Sequence, residues 1–190
     1  AGISSLSGYN RDGRGWLLAD KVPSSGDPGH HQYYYLRLVE RLAGKKTGGS
    51  YPYGLVVTPA EHGWAANRLE ERGIPAGQPI LAIAPAAAYG SAKAWLPERF
   101  RLVIENWHDA HPGCAIVLLG SQAEKDGIAA VAGGLPGRVI NLAGELTLRQ
   151  TIVIMARCRL FIGNDSGLPH IAAALAVPLV AIFGPTEPGK

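Results

Sequence analysis

From residue 78 onward the apolar positions fall into five short runs, at 80–85, 115–119, 139–142, 160–162 and 179–183. Each run is mostly unalternated, the pattern of strands buried on both faces. Between them, stretches at 98–110, 123–132, 147–157 and 167–176 read as helices. Strand and helix alternating in this way predict right-handed crossovers and an α/β domain built on a parallel sheet. Beyond this alternation there is no sequence repeat and no low-complexity segment.

Residues 1–50 have another texture, rich in Gly, Arg, Tyr and Ser. They hold one convincing helix, at 30–43, where Tyr34, Leu38 and Leu42 share helical spacing and Gly44 closes the last turn. Gly48-Gly49-Ser50-Tyr51-Pro52 reads as a linker. Residues 55–57 form a short apolar run, and 61–72 read as a helix ended by Gly73 and followed by Pro75. The pattern divides the chain into three parts: 1–50, a linking segment at 51–78, and a regular α/β domain at 79–190.

Composition narrows the class without deciding it. Hydrophobic residues make up 47% and charged residues 17% of the 190, which suits a globular chain and argues against disorder. The formal net charge of +3 is a mild basic bias, far from a nucleic-acid stripe; it suits an anionic substrate or an acidic membrane surface, and equally many other enzymes. Cys114 and Cys158 are two unpatterned thiols, as expected in a reducing compartment, though spacing alone leaves a bridge open. No run approaches the 18 or so apolar residues that a membrane span needs. The first residues lack an initiator Met and the charged and apolar segments of a signal peptide. Gly189-Lys190 follow directly on a strand-and-turn pattern, so the expectation is a piece of a longer protein.

In an open parallel sheet, ligands bind outside the carboxyl ends of the strands. Four segments just after apolar runs therefore matter. In Pro85-Ala86-Ala87-Ala88-Tyr89-Gly90-Ser91-Ala92-Lys93-Ala94-Trp95, small residues let the backbone approach a ligand and Lys93 offers a point charge to a phosphate. A solvated loop lysine accounts for Lys93 as well, and the Gly-x4-Gly-Lys-Ser/Thr order of a P-loop is absent. In Gly120-Ser121-Gln122-Ala123-Glu124, Ser121 is placed to cap a helix. Glu124 is explained by the helix dipole or by a role accepting from ribose hydroxyls. In Leu142-Ala143-Gly144-Glu145-Leu146-Thr147-Leu148, Gly144 permits a sharp turn and Thr147 looks like an N-cap; the segment is a plain turn or a contact to a base edge.

The fourth segment is Ile162-Gly163-Asn164-Asp165-Ser166-Gly167-Leu168-Pro169-His170, where Asp165 or Ser166 caps a helix that begins at once. Pro169 is tolerated in its first turn. Gly167 leaves backbone N–H groups open to an anion, and the dipole adds roughly half a positive charge there. His170, four residues after Ser166, is either a packed helix histidine or a ligand for the same anion.

The run Asn164-Asp165-Ser166-Gly167-x-x-His170-x-Ala-Ala-Ala-Leu, continued by Pro178-Leu-Val-Ala-Ile-Phe-Gly-Pro-Thr186-Glu-Pro188, resembles the signature of glycosyltransferase family 9, the ADP-heptose:lipopolysaccharide heptosyltransferases. Ala87 to Trp95 is similar to that family's Gly-Ala-x-x-Gly-x-Ala-Lys-x-Trp loop, and Asn141-Leu-Ala-Gly-Glu145 is similar to the heptosyltransferase II branch. Ala86 stands where the family usually has Gly, Ala94 where it often has Arg, and Pro169 where Met is commoner.

The resemblance implies a GT-B fold, two Rossmann-like domains of which the second holds the donor. Residues 1–50 would then be the tail of the acceptor domain, 51–78 an interdomain segment, and 79–190 the sugar-nucleotide domain. It implies inverting transfer of a heptose from ADP-heptose, a substrate and not a cofactor, to the lipopolysaccharide inner core, with no metal and no further cofactor. Ala88, Tyr89 and Lys93 would line the loop at the diphosphate, Glu124 would meet the ribose, and the backbone at Leu146 the adenine. Asp165, Ser166, Gly167 and His170 would surround the diphosphate and sugar. A general base is required to deprotonate the acceptor hydroxyl. It is expected in the N-terminal domain ahead of these residues, so this chain is expected to bind ADP-type ligands without turnover. The remaining expectations are no nucleic-acid partner, a cytoplasmic location at the inner face of the inner membrane, and peripheral membrane contact. A non-catalytic nucleotide-binding module on the same fold, or a transferase using another sugar nucleotide, stays open. Two readings carry less: a metal site at Glu105, His108 and His111, more simply a solvated helix face, and a serine hydrolase at Ser166, which lacks a Gly-x-Ser-x-Gly elbow.

Overall fold

A computed structural model describes residues 5–23, 31–46, 54–86, 94–135 and 139–184. They fall into two compact units divided between Pro52 and Tyr53.

In the first unit, β1 (Ser7–Tyr9) pairs in parallel with β2 (Asp20–Val22) across a short 3-10 helix at Arg14–Leu17. Helix α1 (His31–Ala43) follows, and Gly44 leaves it at φ +63°. Tyr9 stacks on Tyr34 with ring centroids 4.0 Å apart, and the Tyr9 hydroxyl donates to the Tyr34 carbonyl at 2.6 Å. Of the expected apolar stripe, Tyr34 and Leu38 are half-buried, whereas Leu42 is exposed. The two strands were not expected. Three residues each, with Ser, Asp and Lys among them, leave no period to read.

The second unit is a doubly wound α/β sheet. Helix α2 (Pro59–Glu71) leads into β3 (Ile80–Ala84), α3 (Pro97–Ala110), β4 (Ala115–Leu118), α4 (Lys125–Ala132), β5 (Val139–Asn141), α5 (Leu148–Met155), β6 (Leu160–Asn164), α6 (Gly167–Ala174) and β7 (Leu179–Ile182). All strand pairs are parallel and the spatial order is β5-β4-β3-β6-β7. All five strands and four intervening helices stand where the apolar runs place them. Helix α2 starts two residues earlier than expected, because Thr58 and Glu61 form a reciprocal capping box with Pro59 behind the cap.

Burial follows the winding. Strands β3 and β4 are buried throughout, whereas Val180 on the edge strand β7 is half exposed. On one face Ala82, Val117 and Phe161 of the strands pack with Leu69 of α2, Ile154 of α5 and Ala172 of α6. On the other, Leu81 and Ile83 of β3 pack with Phe100 and Ile104 of α3 and Ile128 of α4. Both cysteines are free and buried, and burial pushes the Cys158 thiol up to about 12.

The chain winds from β3 outward to β5, then returns to add β6 and β7 on the other side of β3. The direction of winding therefore reverses between β3 and β6. A crevice opens at such a reversal, outside the carboxyl ends of the strands, and ligands bind in it.

Candidate donor site

A cleft of about 370 Å³ lies at that end of the sheet. Ala84 and Ala86 border it from the end of β3 and just beyond, Leu119, Ser121, Gln122 and Glu124 from the segment after β4, Leu146, Leu148 and Thr151 from α5 and its approach, and Ser166, Gly167, Leu168 and Ile171 from α6 and its cap. The lining is mostly aliphatic with a few polar groups at defined points, the usual make-up of a small-molecule site.

Local sequence explains how each wall is held. Ser121 and Glu124 form a capping box in which the Ser121 backbone N–H and hydroxyl both donate to Glu124 Oε2 at 2.7 Å. The cap therefore fixes the Glu124 carboxylate at the rim. Gly144 takes φ +73°, and a Cβ there would stand 2.5 Å from Gln122 Oε1 and 3.1 Å from Gln122 Cα. Only glycine lets the turn after β5 come this close to the one after β4. Thr147 caps α5 in a second box with Gln150, and Thr151 donates to the Thr147 carbonyl at 3.1 Å. This fastening presents Leu146, Leu148 and Thr151 along one side.

At the fourth segment, Ser166 occupies the cap position of α6 but makes no side-chain cap hydrogen bond. The first turn of α6, beginning at Gly167, borders the cleft with the partial positive charge of a helix start. Asp165 is half-buried and its backbone N–H donates to the Ile182 carbonyl at 3.0 Å, tying β6 to β7.

The structure thus brings Glu124, Leu146, Ser166 and Gly167 around one space. Asp165 is adjacent in sequence but does not line it, and His170 is exposed on α6 beyond the lining face of Leu168 and Ile171. Ala88, Tyr89 and Lys93 lie outside the described residues. Sequence reasoning missed Leu119, Gln122, Leu148, Thr151 and Ile171 as lining. Thr151 and Ile171 were findable, standing four residues after Thr147 and three after Leu168. It also passed over Asn164, fully buried at the end of β6.

Away from the cleft, α2 is bolted to the same α5 region by charge. Arg72 grips Glu145 with two nitrogens at 2.6 and 3.1 Å and donates to the Asn141 carbonyl at 3.1 Å, while Arg68 reaches Glu145 at 3.0 Å. Arg149 pairs with both oxygens of Glu61 at 2.7 and 2.8 Å. The Arg149 hydrogen bonds, then those from Thr58, hold the Glu61 carboxyl down to about 2. Glu145, part of the motif read from sequence, is thus engaged in bracing. On α3, His111 stacks on Trp107 with centroids 4.1 Å apart. No group of three His, Cys, Asp or Glu side chains poised for a metal occurs among the described residues.

The model of glycosyltransferase family 9 (heptosyltransferase) matches residues 2–190. The chain belongs to that family. Lipooligosaccharide heptosyltransferase 2 of Haemophilus influenzae is 34% identical over 142 residues, 72% of this chain and 40% of the relative. Lipopolysaccharide heptosyltransferase 2 of Escherichia coli K12 is 33% identical over 138 residues, 70% of this chain and 38% of the relative. Among solved structures, that of E. coli ADP-heptose lps heptosyltransferase II superposes with a TM-score of 0.79 at 27% identity, over 98% of this chain and 58% of that one. The chain therefore spans about 40% of the length of these curated relatives. The α/β, GT-B-type fold class expected from the sequence stands on the parallel sheet and on this solved relative.

Proposed function

We propose that this chain carries the donor site of an inverting heptosyltransferase that transfers a heptose from ADP-heptose to the lipopolysaccharide inner core. One observation carries the reading: the cleft sits at the reversal point of the sheet and gathers Glu124, Leu146, Ser166 and Gly167, chosen from three separate segments of sequence, around one space. Family membership and relatives named as heptosyltransferases support the sugar and the acceptor.

In this reading the nucleoside lies along the aliphatic wall at Leu119, Leu146 and Leu148. The Glu124 carboxylate, held by its cap, accepts from ribose hydroxyls. The diphosphate meets the start of α6, where backbone N–H groups and the Ser166 hydroxyl favour it; by the family resemblance, Lys93 would add a point charge. During transfer the acceptor hydroxyl oxygen bonds to the anomeric carbon as the carbon–oxygen bond to ADP breaks. The bonding pair leaves on the diphosphate, whose growing charge the helix start stabilises. The acceptor proton passes to a base supplied by the acceptor domain. The acceptor approaches from the inner membrane surface by peripheral contact, in a cytoplasmic setting. No helix among the described residues is long and apolar enough to cross a membrane.

Calorimetric titration with ADP, UDP as comparator, tests the reading. ADP should bind more tightly than UDP. Glu124→Gln keeps an acceptor for the cap but removes the charge, and should weaken ADP by roughly tenfold, the loss of one charge-assisted hydrogen bond. Equal affinity for ADP and UDP, or an unchanged affinity in the variant, would overturn the assignment of these residues.

A further inference from the structure

We infer that Asn164 is a positioning residue that fixes both ends of the loop joining β3 to α3. The inference rests on the donor-site reading for its consequence, though not for its geometry.

Asn164 ends β6, is fully buried, and makes two hydrogen bonds to points far away in sequence. Its Oδ1 accepts from the Trp95 backbone N–H at 3.0 Å, and its Nδ2 donates to the Pro85 carbonyl at 2.8 Å. The partners settle which end of the amide is which: a backbone N–H needs the oxygen and a carbonyl needs the nitrogen. Pro85 is where the chain leaves β3 and Trp95 is where it returns ahead of α3. The segment between them carries Ala88, Tyr89 and Lys93.

Two neighbours hold the clip itself in place. Gly163 pairs with Ala84 across β3 and β6, and a Cβ on Gly163 would lie 2.8 Å from Phe161 Cζ and 3.1 Å from the Ala84 carbonyl oxygen. Glycine there lets β6 close on the end of β3, so that the next side chain meets Pro85. On the far side, Trp95 packs edge-on against Phe100 with ring centroids 5.2 Å apart, which anchors the returning strand of the loop to α3. Ala86, the residue after Pro85, borders the cleft. Holding Pro85 therefore sets where Ala86 stands at the cleft wall.

Aspartate is the informative replacement, being the same shape but unable to donate to Pro85 when ionised. Losing a buried hydrogen-bond partner should loosen the clip by roughly ten- to a hundredfold.

The test is amide hydrogen exchange on the whole chain, with ADP titration alongside. In the wild type, the Trp95 N–H should exchange as slowly as sheet amides of β3. In Asn164→Asp and Asn164→Ala, exchange at Ala86, Ala94 and Trp95 should rise at least tenfold while β4 and α4 amides keep their rates. ADP affinity should fall by a similar factor. A rapidly exchanging Trp95 in the wild type overturns the inference without any variant. So do folded variants that leave exchange at these residues unchanged, or that loosen them while ADP binds as before. A wild type that fails to bind ADP counts against the donor-site reading instead, and the exchange pattern still decides whether Asn164 sets the loop ends.

Discussion

The two ends of the central sheet differ in a way that cavity size alone misreads. The larger hollows lie at the amino ends of the strands: about 870 Å³ beside Pro75, Pro79, His108 and Pro112, and about 590 Å³ beside Ile80, Trp107, His111 and Arg159. The cleft at the carboxyl ends is smaller, about 370 Å³. Yet the smaller one has what a charged ligand requires. It lies where the winding reverses, it faces a helix start, and its Ser121 and Glu124 are held by a capping box. The lower hollows, at the amino ends, are bordered by prolines, glycine and strand beginnings, with Gln78, His108, Arg159 and the stacked Trp107 and His111. The proposed donor site rests on position and chemistry more than on volume.

Variants can break this contrast. The largest effect should come at the upper end from Gly144→Ala, which adds a left-handed non-glycine residue and a methyl against Gln122. It should destabilise the domain by about 2–3 kcal/mol in urea unfolding and weaken ADP by roughly tenfold. Next is Arg72→Ala on the flank, which removes the hydrogen bonds to Glu145 and to the Asn141 carbonyl and leaves Glu145 to Arg68 alone. It should lower stability by about 1 kcal/mol while ADP affinity stays within about twofold. Arg72→Lys should not restore the loss, because lysine cannot grip both oxygens.

Glu61 sharpens the contrast through pH. Its carboxyl is depressed from 4.5 to about 2, so it binds fewer protons in the folded state. The stability it contributes is present above 4.5 and is lost as pH falls through about 2. Glu61→Gln should remove that part of the acid-limb slope in pH-dependent unfolding and leave ADP binding alone. The smallest effect should be His108→Ala at the lower end, within about 0.5 kcal/mol and without change in ADP affinity.

Much of this was legible in the chain. The five runs gave the strands because β3 and β4 are buried on both faces and tolerate no polar alternation. Ser121 and Thr147 read as caps from their residue type and place before a helix, and each stands in a capping box with the Glu or Gln three residues on. Thr58 carries the same signature with Glu61, and overlooking it moved the start of α2. What stayed hidden depends on distance along the chain. Asn164 meets partners 69 and 79 residues away, and Glu145 meets Arg72 at 73. No local period encodes such contacts. His170 shows the converse, since helical spacing from Ser166 did not bring it to the cleft wall, because Leu168 and Ile171 form that face of α6.

The most direct test is a crystal structure of the protein with ADP. The account predicts the nucleotide between Ala86, Leu119, Leu146 and Gly167, with its diphosphate at the start of α6 and its ribose at Glu124. Nucleotide bound instead in the hollow at Trp107 and Arg159 would contradict it.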